Sequence, residues 1–422
     1  MRSRAFLALG ASNHADPAVK APTPEGTGEF MSESDRAESR SEGRFSAGPD
    51  EPGRTAAPGL PIHSGHGGRL YLAWPGRSAP RIFVPAGTGL ARARIDLLSP
   101  QRSRGHALAW LVRRRLLGMR VRLEEVAVAS LEQHLAEALG HPAVRFAINS
   151  GTPGAYRKAT LQVFSPTGET LAFAKMADRP LSAVALATER RILEELAGLP
   201  GIGPHLPTPL AWLGWRGATI LVLRPGPSAL GPPRLGAPHH QFLAELHRAT
   251  LAPARYRDSL WRQRMRRELA RCLPHLDGAW RGRYDSALRG LEQELGSSRV
   301  PFCFAHRDFA PWNTRIGPTG LFVFDWEMGE PGTFPFHDAF CFEAAQAIAG
   351  LGRATVEGGF VGRLAAEVWP EGAGRIGLAR LAFLVDASLY YMRASIVAPT
   401  EGRRDAITWF GGELDRALGE RP

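Results

Sequence analysis

In AHRDFAPWNTR, residues 305–315, Asp308 and Asn313 follow directly on the short apolar run FCFAH. A carboxylate at the end of a buried strand can accept the proton of a hydroxyl nucleophile. An asparagine a few positions later can turn its amide oxygen to a hard cation. A second aspartate, Asp325, follows another apolar run, LFVF. If the two runs pair as one hairpin, Asp308, Asn313 and Asp325 converge at one end of it. Oxygen donors from Asn and Asp, completed by water and phosphate, suit Mg²⁺.

A magnesium nucleotide also needs donors and positive charge at its phosphates. SGTPGA, residues 150–155, lies between two strand-like runs, where glycines let backbone N–H groups approach phosphate oxygens. Lys175 stands inside the apolar run TLAFAKM, a costly place for an ammonium without a partner. Glu189, on the helix-like segment that follows, can supply that partner. The parts for in-line phosphoryl transfer therefore stand in chain order. Each has a plainer explanation when taken singly. Asp and Asn often cap their own loops, a strand-edge lysine snorkels, and two glycines can simply make a tight turn. The combination in this order favours the chemistry.

The elements that must position these residues follow from periodicity. RLYLAW (69–74) and RIFVP (81–85) read as short strands. HALAWLVRRRLLGMR has apolar residues at helical spacing and a basic face. Such a helix either lies on an anionic membrane or a polyanion or, the favoured reading, packs its Leu/Trp face on the body. SLEQHLAEAL (130–139) is a helix, and VRFAINS, YRKATLQVFS and TLAFAKM are strands. AVALATERRILEEL (183–196) is an amphipathic helix, followed by the strands PLAWLGW and ATILVL. From Gly236 onward the pattern is mainly helical. Residues 1–67 carry few large apolar side chains, so they are expected to be a disordered tail. HSGH at 63–66 lacks the further ligands a metal site needs. The fold class is thus α+β. A tail (1–67) and an extension (68–140) precede a small β-rich lobe (141–224) and a larger helical lobe (225–422).

Composition bounds the rest. The chain has 422 residues, 44% hydrophobic and 22% charged, enough for a full core. Three cysteines are too few and odd in number for a disulfide framework, so a reducing, cytoplasmic setting is expected. The net charge of +11 is local: residues 97–123 hold seven arginines and no carboxylate. No aromatic and basic interleaving supports specific nucleic-acid reading. MRSRAFLALGAS is too short an apolar patch for a cleaved signal, and Met31 offers an alternative start.

Together these residues resemble the aminoglycoside phosphotransferase and choline kinase-like family, small-molecule kinases that share the two-lobe protein-kinase fold. The resemblance covers roughly residues 141–420. AHRDFAPWN and VFDWE carry it, with SGTPGA, Lys175, Glu189 and FLAELH (242–247) in support. It implies an ATP-dependent, Mg²⁺-dependent transfer of the γ-phosphate to a hydroxyl of a sugar, amino alcohol or aminoglycoside. Asp308 would be the catalytic base or hydroxyl-orienting carboxylate, and Asn313 and Asp325 would hold Mg²⁺. Lys175, held by Glu189, would contact the α and β phosphates. The backbone around Ser150, Gly151, Thr152 and Gly154 would cover the triphosphate, and Leu221, Val222 and Leu223 would form the hinge beside adenine. His306 and Asp338 would order the loop.

The sequence departs from that family at Arg307, where a small residue, often Gly, is usual. The loop then reads HRD, as in protein kinases. Against a protein kinase, no A-P-E segment follows Asp325, and Ala310 stands where those enzymes carry a lysine. Arg307 either stabilises the loop or faces the acceptor. A non-catalytic nucleotide-binding scaffold is the alternative from another class.

Overall fold

Runs rich in β-branched and apolar residues form the first half of the molecule, and they pair only with antiparallel neighbours. The structure, a computed structural model, describes residues 55–63, 67–74, 80–86, 95–97, 119–151, 154–350 and 359–419. Among these residues the main sheet has ten strands: β1 (Thr55–Ala57), β2 (Leu60–His63), β3 (Arg69–Trp74), β4 (Ile82–Pro85), β5 (Met119–Leu123), β6 (Arg145–Asn149), β7 (Ala159–Phe164), β8 (Thr170–Ala177), β9 (Pro209–Trp215) and β10 (Ala218–Leu223). Their order is β1-β2-β5-β3-β4-β6-β7-β8-β10-β9.

Two helices cover opposite faces of this sheet. Helix α1 (Glu125–Leu139) lays Ala127, Val128, Leu131 and Leu135 on one face, against Phe146, Val163, Ala174 and Val222. Helix α2 (Pro180–Ala197) lies on the other and opens on a proline, whose missing N–H costs nothing at a helix start. Strand alternation divides β10 between the two cores. Ile220 and Val222 join the α1 core, whereas Leu221 and Leu223 join Ile192 and Leu193 of α2.

Three expectations are corrected here. The tail does not run to residue 67, because Thr55–Ala57 and Leu60–His63 are strands of the sheet. The extension is not separate from the β-rich lobe: β4 pairs with β6, Ile82 opposite Asn149, and Leu131 and Leu135 of α1 belong to the same core as Phe146 and Val163. Most of the expected basic helix lies outside the described residues. Its last two residues, Met119 and Arg120, belong to β5 instead, where they pair with Ala73 and Leu72.

The second half is mainly helical: α3 (Ala237–Thr250), α4 (Leu260–Cys272), α5 (Gly278–Leu295), α6 (His337–Ile348), α7 (Phe360–Val368), α8 (Ile376–Val397) and α9 (Glu401–Gly419). Ser259 caps α4 by accepting the Arg262 N–H at 3.2 Å, and Asp277 caps α5 by accepting that of Trp280 at 2.8 Å. Two small sheets lie among the helices. One joins β11 (Ala229–Leu230), β14 (Thr314–Gly317) and β15 (Gly320–Val323). The other joins β12 (Ala252–Arg255), β13 (Arg299–Ala305) and β16 (Glu330–Thr333). The run FCFAH, mostly β13, therefore does not pair with LFVF. The hairpin is β14 with β15, and it begins just after Asn313. No helix among the described residues is long and apolar enough to cross a membrane.

Candidate active site

The loop from His306 to Asn313 leaves β13 and is tied down on both sides. Asp338, in the first turn of α6, accepts the backbone N–H of His306 at 2.8 Å and that of Arg307 at 2.9 Å. The imidazole of His306 accepts the Asp308 N–H at Nδ1, 3.2 Å away. Its other nitrogen then carries the hydrogen and donates to the Phe324 carbonyl at 2.9 Å. One ring thus bridges the loop to the segment before Asp325, with its edge on the buried Trp326, 4.5 Å between centroids. Asn313 closes the loop. Its Nδ2 donates to the Asp308 carbonyl at 2.8 Å and to Asp308 Oδ2 at 2.9 Å, which leaves the amide oxygen to face elsewhere.

From the other half of the molecule comes Lys175, at the cleft end of β8. Its Nζ lies 2.7 Å from Glu189 Oε2 on α2 and also contacts Asp325. Asp325 sits in the left-handed region, φ 73°, a conformation that Asp tolerates better than most residues. The glycine turn lies above. Gly151 has φ +71°, and a Cβ there would stand 1.9 Å from the Lys158 carbonyl oxygen, so only glycine fits. Ser150 is buried, Gly154 has φ +135°, and Thr152 lies outside the described residues.

Beneath that turn is a pocket of about 250 Å³, lined by Gly151, Gly154, Ala155, Tyr156, Arg157, Lys158, Thr160, Lys175, Asp325, Glu327, Ala398 and Arg403. Of the expected site residues, Gly151, Gly154, Lys175 and Asp325 line this pocket; Glu189 joins it through Lys175, Asp308 through its charge on Asp325, and Asn313 through Asp308. Val222 and Leu223 do not line this pocket, and their side chains are buried in the two cores. The backbone there is ordered by the Arg224 N–H, which donates to the Thr208 carbonyl at 2.9 Å.

Burial pushes the Asp308 carboxyl up to about 6, and the negative charge of Asp325 adds to the effect. Burial opposes ionisation of Asp325 as well, but the Lys175 and Lys158 ammoniums overcome it and hold Asp325 well below the usual carboxylate range. Two neighbouring aspartates are therefore held apart, one near neutrality and one fully ionised. Burial raises the Tyr390 and Tyr391 phenols of α8, and the Asp308 charge reaches both. Among the described residues no group of three or more His, Cys, Asp or Glu is placed to hold a metal. The available donors, the Asn313 amide oxygen and the Asp325 carboxylate, are hard oxygens. Two such ligands suit Mg²⁺, which usually keeps water and phosphate in its shell.

Arg307 does not face the cleft. It holds φ 63°, and its guanidinium contacts Asp386, a fully buried residue of α8. Asp386 also accepts from Arg264 at 2.9 Å and from the Trp261 indole at 3.2 Å. Lys158, Glu327 and Arg403 went unmarked by sequence reasoning. Glu327 stands within VFDWE, but nothing in the sequence pairs it with Lys158, and Arg403 reads as one charge among several on α9.

Residues 162–350 match the model of the phosphotransferase enzyme family. No curated protein matches the sequence. Among solved structures, a thermostable mutant of the aminoglycoside phosphotransferase APH(4)-Ia in apo form is similar at 17% identity, covering 68% of this chain and 98% of that one, with a TM-score of 0.46. A variant of the same enzyme solved with ADP and hygromycin B is similar at 16% identity, covering 69% and 98%, with a TM-score of 0.45. A choline/ethanolamine kinase family protein from Mesorhizobium loti is similar at 15% identity, covering 65% and 88%, with a TM-score of 0.43.

Proposed function

We propose that the chain is an ATP-dependent kinase that phosphorylates a hydroxyl of a small molecule, a reading supported by the match of residues 162–350 to the model of the phosphotransferase enzyme family. The observation that carries this is the meeting of Asp308, Asn313 and Asp325 with the Lys175–Glu189 pair around one cleft, under a glycine turn.

The acceptor hydroxyl would sit at Asp308. Its proton moves onto the Asp308 carboxylate as the oxygen bonds to the γ-phosphorus. The bond from that phosphorus to the bridging oxygen breaks, and ADP leaves with the electron pair. A carboxyl held near 6 is a better proton acceptor at neutral pH than an ordinary aspartate, and is still ionised there. Asn313 fixes the Asp308 rotamer through its 2.9 Å hydrogen bond. Lys175 would hold the α and β phosphates, with Glu189 fixing its direction. Asn313 and Asp325 would hold Mg²⁺, which neutralises phosphate charge when bound. The backbone of residues 150–154 would cover the triphosphate, and Leu221–Leu223 would lie beside adenine. The acceptor is a sugar, an amino alcohol or an aminoglycoside. It would lie between Asp308 and the Tyr390–Tyr391 edge of α8.

The experiment is a γ-phosphate transfer screen across sugars, amino alcohols, aminoglycosides and nucleosides, with the Asp308→Ala chain run beside it. Transfer lost in that variant while nucleotide binding persists supports the proposal.

A further inference from the structure

Lys175 is already committed. Its ammonium lies between Glu189 and Asp325, two carboxylates for one positive charge. A nucleoside triphosphate entering the cleft brings several negative charges of its own, so a second protein cation, beside the Mg²⁺ that Asn313 and Asp325 would hold, would strengthen its binding. Lys158 is placed to supply it. It lies immediately before β7, its side chain is 16% exposed, and it lines the same pocket as Lys175 and Asp325.

The position of Lys158 is fixed by the glycine turn. Its carbonyl oxygen stands where a Cβ of Gly151 would be, so the turn and the Lys158 backbone are packed against each other. Among the described residues its ammonium contacts one carboxylate, Glu327, which is 24% exposed and also borders the pocket. Asp325, Glu189 and Asp308 are all near enough for their charges to act on Lys158, and the Lys158 charge acts in turn on Asp308. Lys158 thus has Asp308, the proposed acceptor of the hydroxyl proton, among its charged neighbours. It also lies outside residues 162–350, the span matched by the family model.

We propose that Lys158 is a second phosphate-binding lysine, which recognises the terminal phosphate of the nucleotide, and that Glu327 holds it in the nucleotide-free cleft. This rests on the kinase reading above. A phosphate dianion carries more charge and more acceptor oxygens than a single carboxylate, so the terminal phosphate displaces Glu327. A diphosphate, which ends short of that position, leaves the Lys158–Glu327 pair in place. The pair would then distinguish ATP from the product ADP.

The test is calorimetric titration of the full chain with AMP-PNP and with ADP, both with Mg²⁺. Lys158→Met is expected to weaken AMP-PNP binding by about tenfold or more, the loss of one charge-assisted hydrogen bond, and to leave ADP within about twofold. Lys158→Arg should recover most of the difference. Glu327→Gln, which frees the lysine without touching it, should tighten AMP-PNP and not ADP. Equal losses for both nucleotides in Lys158→Met, or no loss for either, would overturn the proposal while leaving the kinase reading intact. Failure of the unsubstituted chain to bind either nucleotide would overturn both.

Discussion

Lys175 on β8 and Glu189 on α2 meet with 2.7 Å between Nζ and Oε2, and Glu189 is fully buried. Strand and helix are thereby fixed to each other at the cleft. A buried pair of this kind gives little net stability, but removing one partner leaves the other charge uncompensated. Glu189→Ala is expected to destabilise the fold by about 3–5 kcal/mol at most, since Asp325 still faces the lysine. It should also raise the KM for ATP. Chemical denaturation and steady-state kinetics check the two effects separately. Unchanged stability together with unchanged KM would contradict the role given to this pair.

Arg307 and Asp386 make a different kind of tie, between the loop and α8. Arg307 occupies a left-handed conformation that glycine adopts without strain, so Arg307→Gly relieves about 1 kcal/mol of backbone cost and loses one ion pair. Asp386→Ala, by contrast, leaves the guanidiniums of Arg307 and Arg264 buried without their shared acceptor. It should cost about 3–5 kcal/mol. Urea midpoints of the two variants should therefore differ widely, with Asp386→Ala far lower. Equal midpoints would mean that Asp386 is not the anchor.

The raised Asp308 carboxyl has consequences for activity and for stability, with opposite signs. Transfer should require the ionised form, so kcat/KM should fall tenfold per pH unit below about 6. For stability, the folded state binds the Asp308 proton more tightly than the unfolded chain does. That contribution is present below the ordinary aspartate value of about 4 and is lost as pH rises through about 6. At pH 7 the buried negative charge therefore opposes folding. Asp308→Asn should raise the melting temperature at pH 7 and leave it unchanged near pH 3.5. A lower melting temperature at pH 7 would contradict the burial of the carboxyl.

Much of this site was legible in the sequence because its signals are local. Alternation in TLAFAKM and ATILVL gave the central strands, and the spacing within AHRDFAPWN set Asp308 beside Asn313. The approach of Lys175 to Glu189 followed from the cost of burying an unpaired ammonium. The failures were non-local. Residues 55–63 are too short and too broken by Pro58, Gly59 and Pro61 to read as strands, and they exist because β5 offers Ile62 and His63 an edge to pair with. β14 was missed because Thr314–Gly317 carries no apolar run, so the hairpin was assigned to the wrong strand. Lys158 and Glu327 come from opposite halves of the fold, and only the folded chain brings them together. The bond from Arg307 to Asp386 likewise waits on α8, whose buried aspartate reads in the sequence as an ordinary helix charge.

The central claim is that Asp308 serves a phosphoryl transfer in the cleft shared with Lys175 and Asp325. The most direct measurement follows labelled γ-phosphate from ATP to a panel of hydroxyl acceptors, with the unsubstituted chain and Asp308→Ala side by side, each first shown to bind nucleotide. The expected result is label transfer to at least one small-molecule hydroxyl by the unsubstituted chain, and a loss of about a hundredfold or more in the variant with nucleotide binding kept. Transfer at the normal rate by Asp308→Ala would contradict it.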